Sequence, residues 1–298
     1  MGYRSDFTTS KDKDKNSQDY KVKRYYESSA ADYMAIWTNK EDLSMHFGYF
    51  DEKVKSHRES LGRMSEVLAG FAGIKKGSRI LDAGSGYGNT STWLAEKFNA
   101  KVLGLNIVPY QIKMAKARAE RMGLKDQVDF QIQNFEKTEL PDQSFDVFWA
   151  QESTVHAKNK AAVIKEAYRL LDANGKIMIC EYFLRSTPTV TVEEHQALKP
   201  WLDGWAMPEF WPAEKYKETL EEAGFVNVEV HDITKNTIPS FKRLYLMCRL
   251  FLFMGKINVR LGIISKDRYN NALGSYHACK TLWKGMWEFK LVVAEKKG

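Results

Sequence analysis

Cysteine is scarce in this chain, and no apolar run is long enough to span a lipid bilayer. Cys180, Cys248 and Cys279 are far apart and form no Cys-x-x-Cys pair. Their number and spacing argue against a disulfide framework and against a thiolate zinc site. The most apolar stretch, residues 244–254, is too short to cross a membrane and contains Arg249. With no apolar leader at the start, the chain is expected to be a cytoplasmic protein with reduced thiols.

Acidic residues are absent from one long segment, although the chain as a whole has mixed charge. Lys and Arg total 45 against 38 Asp and Glu, which gives a net charge of +7. Between Ser240 and Lys266 every charge is basic and lies among apolar residues. Three interpretations stay open: a solvated basic helix face, a peripheral membrane contact, or recognition of an anionic acceptor. Because these cations form no separate basic stripe, no nucleic-acid partner is expected.

Strands and helices alternate through the middle of the chain. Strands alternating with helices of about ten to fifteen residues predict a parallel, doubly wound α/β sheet. Two further strands follow, so the sheet is expected to have about seven strands, the last of them antiparallel. The strands are predicted at residues 79–82, 101–106, 127–133, 145–150, 176–182, 226–230 and 287–294.

The chain is expected to divide into five segments. Residues 1–18 are polar and charged, which predicts a disordered tail. Residues 19–70 have helical periodicity and are expected to form a helical lid on the core, residues 71–235. The interval 236–285 is too long for a simple hairpin loop, so it is predicted to be an inserted helical cap. Residues 286–298 hold the last core strand and a tail.

A glycine-rich turn at residues 82–88, Asp-Ala-Gly-Ser-Gly-Tyr-Gly, follows a predicted strand and opens a helix. Its glycines permit a tight turn and close approach of a ligand, and the helix start offers free N–H groups. The spacing is acidic-x-Gly-x-Gly-x-Gly, unlike the Gly-x-Gly-x-x-Gly of dinucleotide enzymes. It resembles motif I of the class I S-adenosylmethionine-dependent methyltransferases.

The resemblance extends over about residues 76–184. Residues 140–146, Leu-Pro-Asp-Gln-Ser-Phe-Asp, match the family's lead into its fourth strand. Residues 105–111 look like the Asn-containing variant of the sarcosine/dimethylglycine and sterol methyltransferases. Residues 46–49, His-Phe-Gly-Tyr, resemble the lid of the sarcosine, sterol and tocopherol methyltransferase group. The resemblance implies a Rossmann-like fold with S-adenosyl-L-methionine as cofactor.

The resemblance also implies a set of cofactor-binding residues. Asn106 stands where the family bonds the ribose, usually with an acidic residue, and an amide can also bond a diol. Asn134 and Phe135 replace the commoner Gly-Asp pair at the place of the adenine. Tyr25 and Tyr26 either belong to the core or close over the methionine moiety. The complete predicted set is Tyr26, Asp82, Gly84, Ser85, Gly86, Gly88, Asn106, Gln111, Asn134, Phe135 and Gln151.

The catalytic candidates are Glu152, His156 and His46, and no metal site is expected. Glu152 and His156 follow the fourth predicted strand at the carboxyl edge of the sheet, where such folds bind ligands. The alternative is a surface acid and a helix-start histidine, and His46 is alternatively a structural loop residue. Glu181, at the same edge, is either a substrate contact or neutralised by a neighbour. An aromatic cluster forms either plain core or the wall of an acceptor pocket: Trp201, Trp205, Phe210 and Trp211.

The implied activity is methyl transfer to a small molecule, in which the enzyme positions the acceptor and excludes water. A base is needed only where the acceptor loses a proton, and Glu152 or His156 is the candidate. The apolar C-terminal segment favours a lipophilic acceptor, such as a terpenoid, sterol or quinol-like ring. The alternative is a small amine of the sarcosine/dimethylglycine type. An RNA methyltransferase or an inactive cofactor-binding protein is less expected, and the oligomeric state is left open.

Overall fold

The computed structural model describes residues 14–33, 37, 43–186 and 188–298. Most of the tail predicted for residues 1–18 therefore lies outside the described residues. Residues 14–17 lead directly into a helix that begins at Gln18, and the Ser17 side chain accepts a hydrogen bond from the Tyr20 N–H as its cap. A side-chain acceptor at this position satisfies one of the free N–H groups of the first helical turn.

Seven strands form one mixed sheet in the order β3-β2-β1-β4-β5-β7-β6. The first five are parallel, and β7 lies antiparallel between β5 and β6. The predicted doubly wound sheet with an antiparallel last strand is therefore confirmed. The strands are β1 (Arg79–Ala83), β2 (Lys101–Asn106), β3 (Val128–Ile132), β4 (Phe145–Gln151), β5 (Leu171–Leu184), β6 (Phe225–Asp232) and β7 (Trp287–Lys296).

Helices cover both faces of the sheet. Successive residues of β1 show why: Ile80 packs into one apolar cluster and Leu81 into a second. A parallel sheet buried on both faces needs this pattern of apolar residues. The helices are α1 (Gln18–Asp32), α2 (His57–Ala72), α3 (Asn89–Phe98), α4 (Pro109–Arg121), α5 (Lys160–Leu170), α6 (Val192–Gly204), α7 (Ala213–Glu222), α8 (Thr234–Arg260) and α9 (Lys266–Trp283).

Helix α6 was not anticipated from the sequence. Its start carries a capping box, in which the Thr191 side chain accepts from the Glu194 N–H and the Glu194 side chain accepts from the Thr191 N–H. The Thr-x-x-Glu spacing was therefore the available signal. The interior Pro200 and the closely spaced apolar residues around Trp201 obscure the helical periodicity of this segment.

Helices α8 and α9 fill the interval between β6 and β7, so the predicted helical insertion is confirmed. Helix α9 crosses α6 at two glycines. A Cβ on Gly204 would lie 2.6 Å from the Asn270 carbonyl oxygen, and one on Gly274 would lie 3.1 Å from the Pro200 carbonyl oxygen. The absence of side chains at both positions lets the two backbones approach. In the described part of the chain, no helix combines the length and the apolar character needed to cross a membrane.

Candidate active site

The glycine-rich turn lies between β1 and α3, at the carboxyl edge of the sheet. Gly84 and Gly86 have φ of +97° and +52°, a region that favours glycine. A Cβ on Gly84 would collide with the Ser153 side chain at 2.4 Å, whereas one on Gly86 would meet only the Met45 Cε, at 3.6 Å. The Gly86 backbone therefore borders open space in which a ligand can approach it.

Asp82 closes one side of a pocket formed by the turn and the loop at residues 43–47. It is buried, and its carboxylate accepts a 2.5 Å hydrogen bond from the Ser91 hydroxyl. Burial raises the pKa of Asp82 to about 6, against the effect of that hydrogen bond. Across the pocket, the Asn89 side chain donates to the Ser44 hydroxyl and ties the turn to the loop.

A second pocket adjoins the first at the ends of β2 and β3. Asn106 lines it with both side-chain atoms engaged: its amide donates to the Gln111 Oε1 at 2.8 Å, and its oxygen accepts from the Val108 N–H at 3.0 Å. The Asn134 amide donates to the Asp19 carboxylate of α1 at 3.0 Å. Helix α1 therefore borders this pocket from above the sheet edge.

The structure brings the predicted residues together with one exception. Gly88 borders neither pocket: a Cβ there would lie 2.5 Å from the Phe130 Cζ and 2.9 Å from the Ala115 Cβ. Its lack of a side chain allows this close packing at the start of α3, and its assignment to cofactor binding stays a prediction. The residues that border the pockets as predicted are Tyr26, His46, Asp82, Gly84, Ser85, Gly86, Asn106, Gln111, Asn134, Phe135, Gln151, Glu152 and His156.

Two polar side chains in these pockets fit a ligand with hydrogen-bonding groups. Within the described part of the chain, the buried Ser153 hydroxyl and both polar atoms of the Gln151 amide have no hydrogen-bond partner. Buried polar groups in native proteins are nearly always paired. The open space at Gly86 and these unpaired side chains together fit a bound ligand that carries several hydrogen-bonding groups.

A larger cavity lies beside the two pockets, with a volume of about 920 Å³ including its open mouth. Aromatic rings dominate its wall, and α8 adds Leu244, Met247 and Phe251. Helix α9 contributes polar groups, among them Ser275, whose hydroxyl accepts from the Trp205 indole at 3.1 Å. None of the described residues of α8 or α9 borders the two smaller pockets. The aromatic wall consists of Tyr25, Tyr26, Tyr33, Trp37, Phe47, Tyr182 and Trp205.

Glu152 lies where the cavity and both pockets meet. Its φ of +51° is uncommon for a residue with a side chain. The carboxyl group accepts from the Phe47 N–H at 2.7 Å and from the Tyr182 hydroxyl at 2.5 Å. Burial raises the pKa of Glu152 to about 8, outweighing these two hydrogen bonds. The group is therefore mainly protonated at neutral pH and able to exchange a proton near it.

His156 follows β4 in a short 3-10 turn, Thr154–His156. Its Nε2 shares a 3.0 Å hydrogen bond with the Tyr26 hydroxyl. Burial lowers the pKa of His156 to about 4, so its imidazole is neutral at physiological pH. The pair connects the end of β4 to α1 at the border between the cavity and the second pocket.

His46 and Glu181 lie outside the cavity. His46 is buried beside the Asp82 pocket, and its Nδ1 lies 2.9 Å from the Phe47 carbonyl oxygen. Glu181 is fully buried away from the pockets and the cavity, where it accepts hydrogen bonds from the hydroxyls of Thr154 and Tyr216. Burial raises the pKa of Glu181. Of the two interpretations of Glu181, the structure favours stabilisation by its neighbours.

The predicted aromatic cluster is divided by the structure. Trp205 lines the cavity, and Trp201 and Phe210 pack behind Tyr182 in the core. Trp211 belongs to the apolar cluster on the other side of the sheet. Sequence reasoning missed Tyr182, although its place near the carboxyl end of β5 was a usable signal. It also missed Ser44, Met45 and Asn89, which line the Asp82 pocket.

Comparisons with known proteins agree with this geometry. A family described as a methyltransferase domain matches residues 74–236. An S-adenosyl-L-methionine-dependent Diels-Alderase from Talaromyces variabilis is 30% identical, over 82% of this chain and 86% of the relative. A probable tocopherol O-methyltransferase from Oryza sativa is 27% identical over 72% of this chain, which spans 62% of that relative.

Among the solved structures that resemble the chain, the following covers almost its whole length. It is that of a putative sarcosine dimethylglycine methyltransferase from Galdieria sulphuraria. The TM-score is 0.76 at 21% identity, covering 92% of this chain and 98% of the other. At this identity the likeness shows a shared fold.

Proposed function

Because the chain belongs to the class I S-adenosylmethionine-dependent methyltransferases, we propose that it transfers a methyl group to a small lipophilic acceptor. When bound, S-adenosylmethionine supplies an activated methyl group on a positively charged sulfur. Asp82, the Gly86 backbone and Gln151 would hold its amino-acid end, and Asn106, Gln111 and Asn134 its nucleoside end. These assignments follow from the two adjoining pockets that the residues line.

The observation that carries the proposal is the aromatic cavity that meets both pockets at Glu152. A wall that is mainly aromatic and apolar, with a few polar groups, suits a lipophilic organic molecule better than a small polar amine. A terpenoid, sterol or quinol-like acceptor therefore fits better than the sarcosine type.

Glu152 is the better candidate for the base. With a pKa of about 8 it is a competent acceptor of a proton from a hydroxyl of the substrate, whereas the pKa of His156, about 4, makes that imidazole a weak base. We assign His156 and Tyr26 to positioning the acceptor, and His46 to the amino-acid end of the cofactor. In this assignment the Tyr182 hydroxyl orients the Glu152 carboxyl group.

We also propose a role for each segment of the chain. Residues 19–70 would act as the lid, 71–235 and 286–298 as the cofactor-binding core, and 236–285 as the acceptor-side cap. The lining of the cavity by α8 and α9 supports this division. We keep a cytoplasmic location and the absence of a nucleic-acid partner as expectations.

A transfer assay with methyl-labelled S-adenosylmethionine tests the proposal. Quinols, sterols and terpenoid alcohols form one panel, and glycine, sarcosine and dimethylglycine form the other. We expect label only in the lipophilic panel, and we expect Trp205→Ala to raise the KM for the acceptor while leaving the Kd of S-adenosylhomocysteine unchanged. Label that appears only in the amine panel would overturn the lipophilic assignment.

A second candidate is cyclisation of a lipophilic polyene without methyl transfer. The Diels-Alderase relative favours it, and so does Glu152, which as a neutral acid can donate a hydrogen bond to a carbonyl of the reacting polyene. In such a reaction two carbon–carbon σ bonds and one new π bond replace three π bonds, and no atom is gained or lost. The two candidates differ in one observable: S-adenosylhomocysteine supports cyclisation to a product of unchanged mass but cannot support methylation.

A further inference from the structure

Helix α8 has two apolar faces. One face lines the cavity with Leu244, Met247 and Phe251. The other face points into solvent. We name its apolar row the α8 stripe: Leu246, Leu250, Phe253, Ile257 and Leu261. Successive members are three or four positions apart, which places them on one side of a helix with 3.6 residues per turn.

The side chains of the α8 stripe are highly exposed to solvent. Phe253 is 85% exposed, Leu250 is 78% exposed and Leu246 is 64% exposed. Single exposed apolar residues are ordinary on protein surfaces, but a contiguous row marks a surface that another phase or molecule covers. Ile263, just beyond the helix, is also exposed, at 63%.

Cations follow one edge of the stripe. Lys242, Arg249 and Lys256 are exposed and recur every seven residues, so they lie on one side of the helix, two turns apart. Arg260 lies one turn beyond Lys256, on the same side. The segment from Ser240 to Lys266 contains no acidic residue. An apolar face with a basic flank is the pattern of helices that lie in the interface of a membrane.

We propose that the α8 stripe docks on an anionic phospholipid surface, with its apolar side chains among the acyl chains and its cations at the headgroups. In this arrangement α8 lies between the bilayer and the cavity, since its opposite face lines the cavity. Docking would place the cavity beside the phase in which lipophilic acceptors dissolve. The proposal concerns the surface alone and does not depend on which reaction the cavity performs.

A second copy of the chain fits the stripe less well. A symmetric contact would pack α8 against α8. The basic flanks of the two copies would then approach each other, and no residue between Ser240 and Lys266 could neutralise them. Anionic lipid complements both the apolar row and its charge.

Co-sedimentation of the full chain with lipid vesicles tests the docking, without cofactor or acceptor. One set of vesicles is phosphatidylcholine alone, and the other contains roughly one phosphatidylserine in four lipids. We expect binding to the second set that weakens as salt rises. Leu250→Ser with Phe253→Ser should reduce it at least about tenfold, because two buried apolar side chains are lost. Arg249→Glu with Lys256→Glu should also reduce it about tenfold or more.

Val192→Ser is the matched control, because Val192 is 71% exposed at the start of α6, away from the stripe. It should bind the vesicles as the unchanged chain does. The absence of binding at low salt would overturn the proposal. A second result would also overturn it. In that result, sedimentation velocity shows a dimer of the unchanged chain, and Leu250→Ser with Phe253→Ser abolishes the dimer while vesicle binding persists. Circular dichroism and S-adenosylhomocysteine affinity show that each variant is folded, and a failed transfer assay would leave the docking result unaffected.

Discussion

The carboxyl group of Glu152 is held by two donors from separate parts of the chain. The Phe47 N–H comes from the loop after α1 and the Tyr182 hydroxyl comes from β5. The left-handed backbone at Glu152 turns the chain out of β4 and places this side chain between cavity and pockets. Such a conformation persists where the surroundings compensate for its strain, as at functional sites.

Glu152→Gln should change how activity depends on pH. The pKa of Glu152 is about 8, so with a phenolic or alcoholic acceptor kcat/KM should rise up to about pH 8 and then level. In the variant the rise should disappear and the rate should fall by about 10²–10⁴, the usual contribution of a general base. Initial rates between pH 6 and 9 check this. Glu222→Gln, at an exposed acid of α7, is the control and should keep the original profile.

The same variant should change the pH dependence of stability. The folded pKa of Glu152 lies above its ordinary value, so its favourable contribution is complete below about pH 4.5 and is lost as pH rises through about 8. Relative to the unchanged chain, Glu152→Gln should therefore gain on the order of 4 kcal/mol in unfolding free energy between pH 5 and 8.5. Urea unfolding at the two pH values measures it. Parallel stability curves for both proteins would contradict the assignment.

Asn106→Leu should weaken cofactor binding without unfolding the chain. Asn106 is 8% exposed at the end of β2, with its polar atoms held by Gln111 and Val108. Leucine would leave a bound diol unpaired, at a cost of about 1–3 kcal/mol, or roughly 5- to 150-fold in Kd. Asn106→Asp should retain binding, because a carboxylate accepts from both hydroxyls. Calorimetric titration of S-adenosylhomocysteine checks both, with exposed Asn270→Leu as control.

At the scale of elements, the approach of α6 to α9 positions part of the cavity wall. Trp205 follows α6, and its indole donates to Ser275 of α9. A methyl group on Gly204 would overlap the Asn270 carbonyl oxygen, so Gly204→Ala must separate the helices. We expect a loss of about 1–3 kcal/mol in stability and a Tm lower by about 2–4 °C for each kcal/mol. Differential scanning calorimetry measures the shift.

Gly70→Ala is the matched control for this substitution. Gly70 lies within α2, and a Cβ there would meet nothing within 4 Å. Alanine should be neutral or stabilising by about 0.5–1 kcal/mol, because glycine is costly inside a helix. Gly204→Ala should also raise the KM for the acceptor and leave cofactor affinity unchanged. Equal losses from both substitutions would show that the crossing has no special role.

Local patterns predicted the sheet well, because its strands carry their own apolar runs and turn residues. Their alternation with helices indicated a parallel, doubly wound arrangement. Helix α6 escaped because an interior Pro200 and closely spaced tryptophans obscure its periodicity. The sequence does not distinguish a glycine needed for packing, as Gly88 is against Phe130, from a glycine needed for a ligand.

For the molecule as a whole, the residues that line the two smaller pockets could be predicted, and most of those that line the larger cavity could not. Most of the former lie at the ends of successive strands, so the position of each in the chain fixes its place in the fold. The cavity wall instead comes from α1, the loop at 43–47, β5, α8 and α9. Which face of each helix turns inward depends on tertiary packing, as the two apolar faces of α8 show.

Helix α1 contacts both the end of β4 and the segment after α6, and it should open to admit the cofactor. The Gln18 side chain donates to the carbonyl oxygens of His156 and Ala206, and the Tyr110 hydroxyl donates to the Tyr26 carbonyl oxygen. Asp19 and Tyr26 border the second pocket, so a bound nucleoside would lie beneath the helix. Cofactor binding should therefore shift α1 toward its closed, folded position.

Limited trypsin digestion should measure how ligand binding changes the opening of α1. Lys21 and Arg24 are exposed on α1, and cleavage there requires local unfolding of the helix. At about a hundred times its Kd, S-adenosylhomocysteine should slow cleavage at these sites about tenfold or more, because binding depletes the open state. Lys217 on α7, away from the pockets, is the internal control and should be cleaved at nearly the same rate with and without ligand. Fragment masses followed over time distinguish the sites. Equal slowing at Lys217 would mean that the ligand only stabilises the whole fold, and that α1 is not coupled to the pocket beneath it.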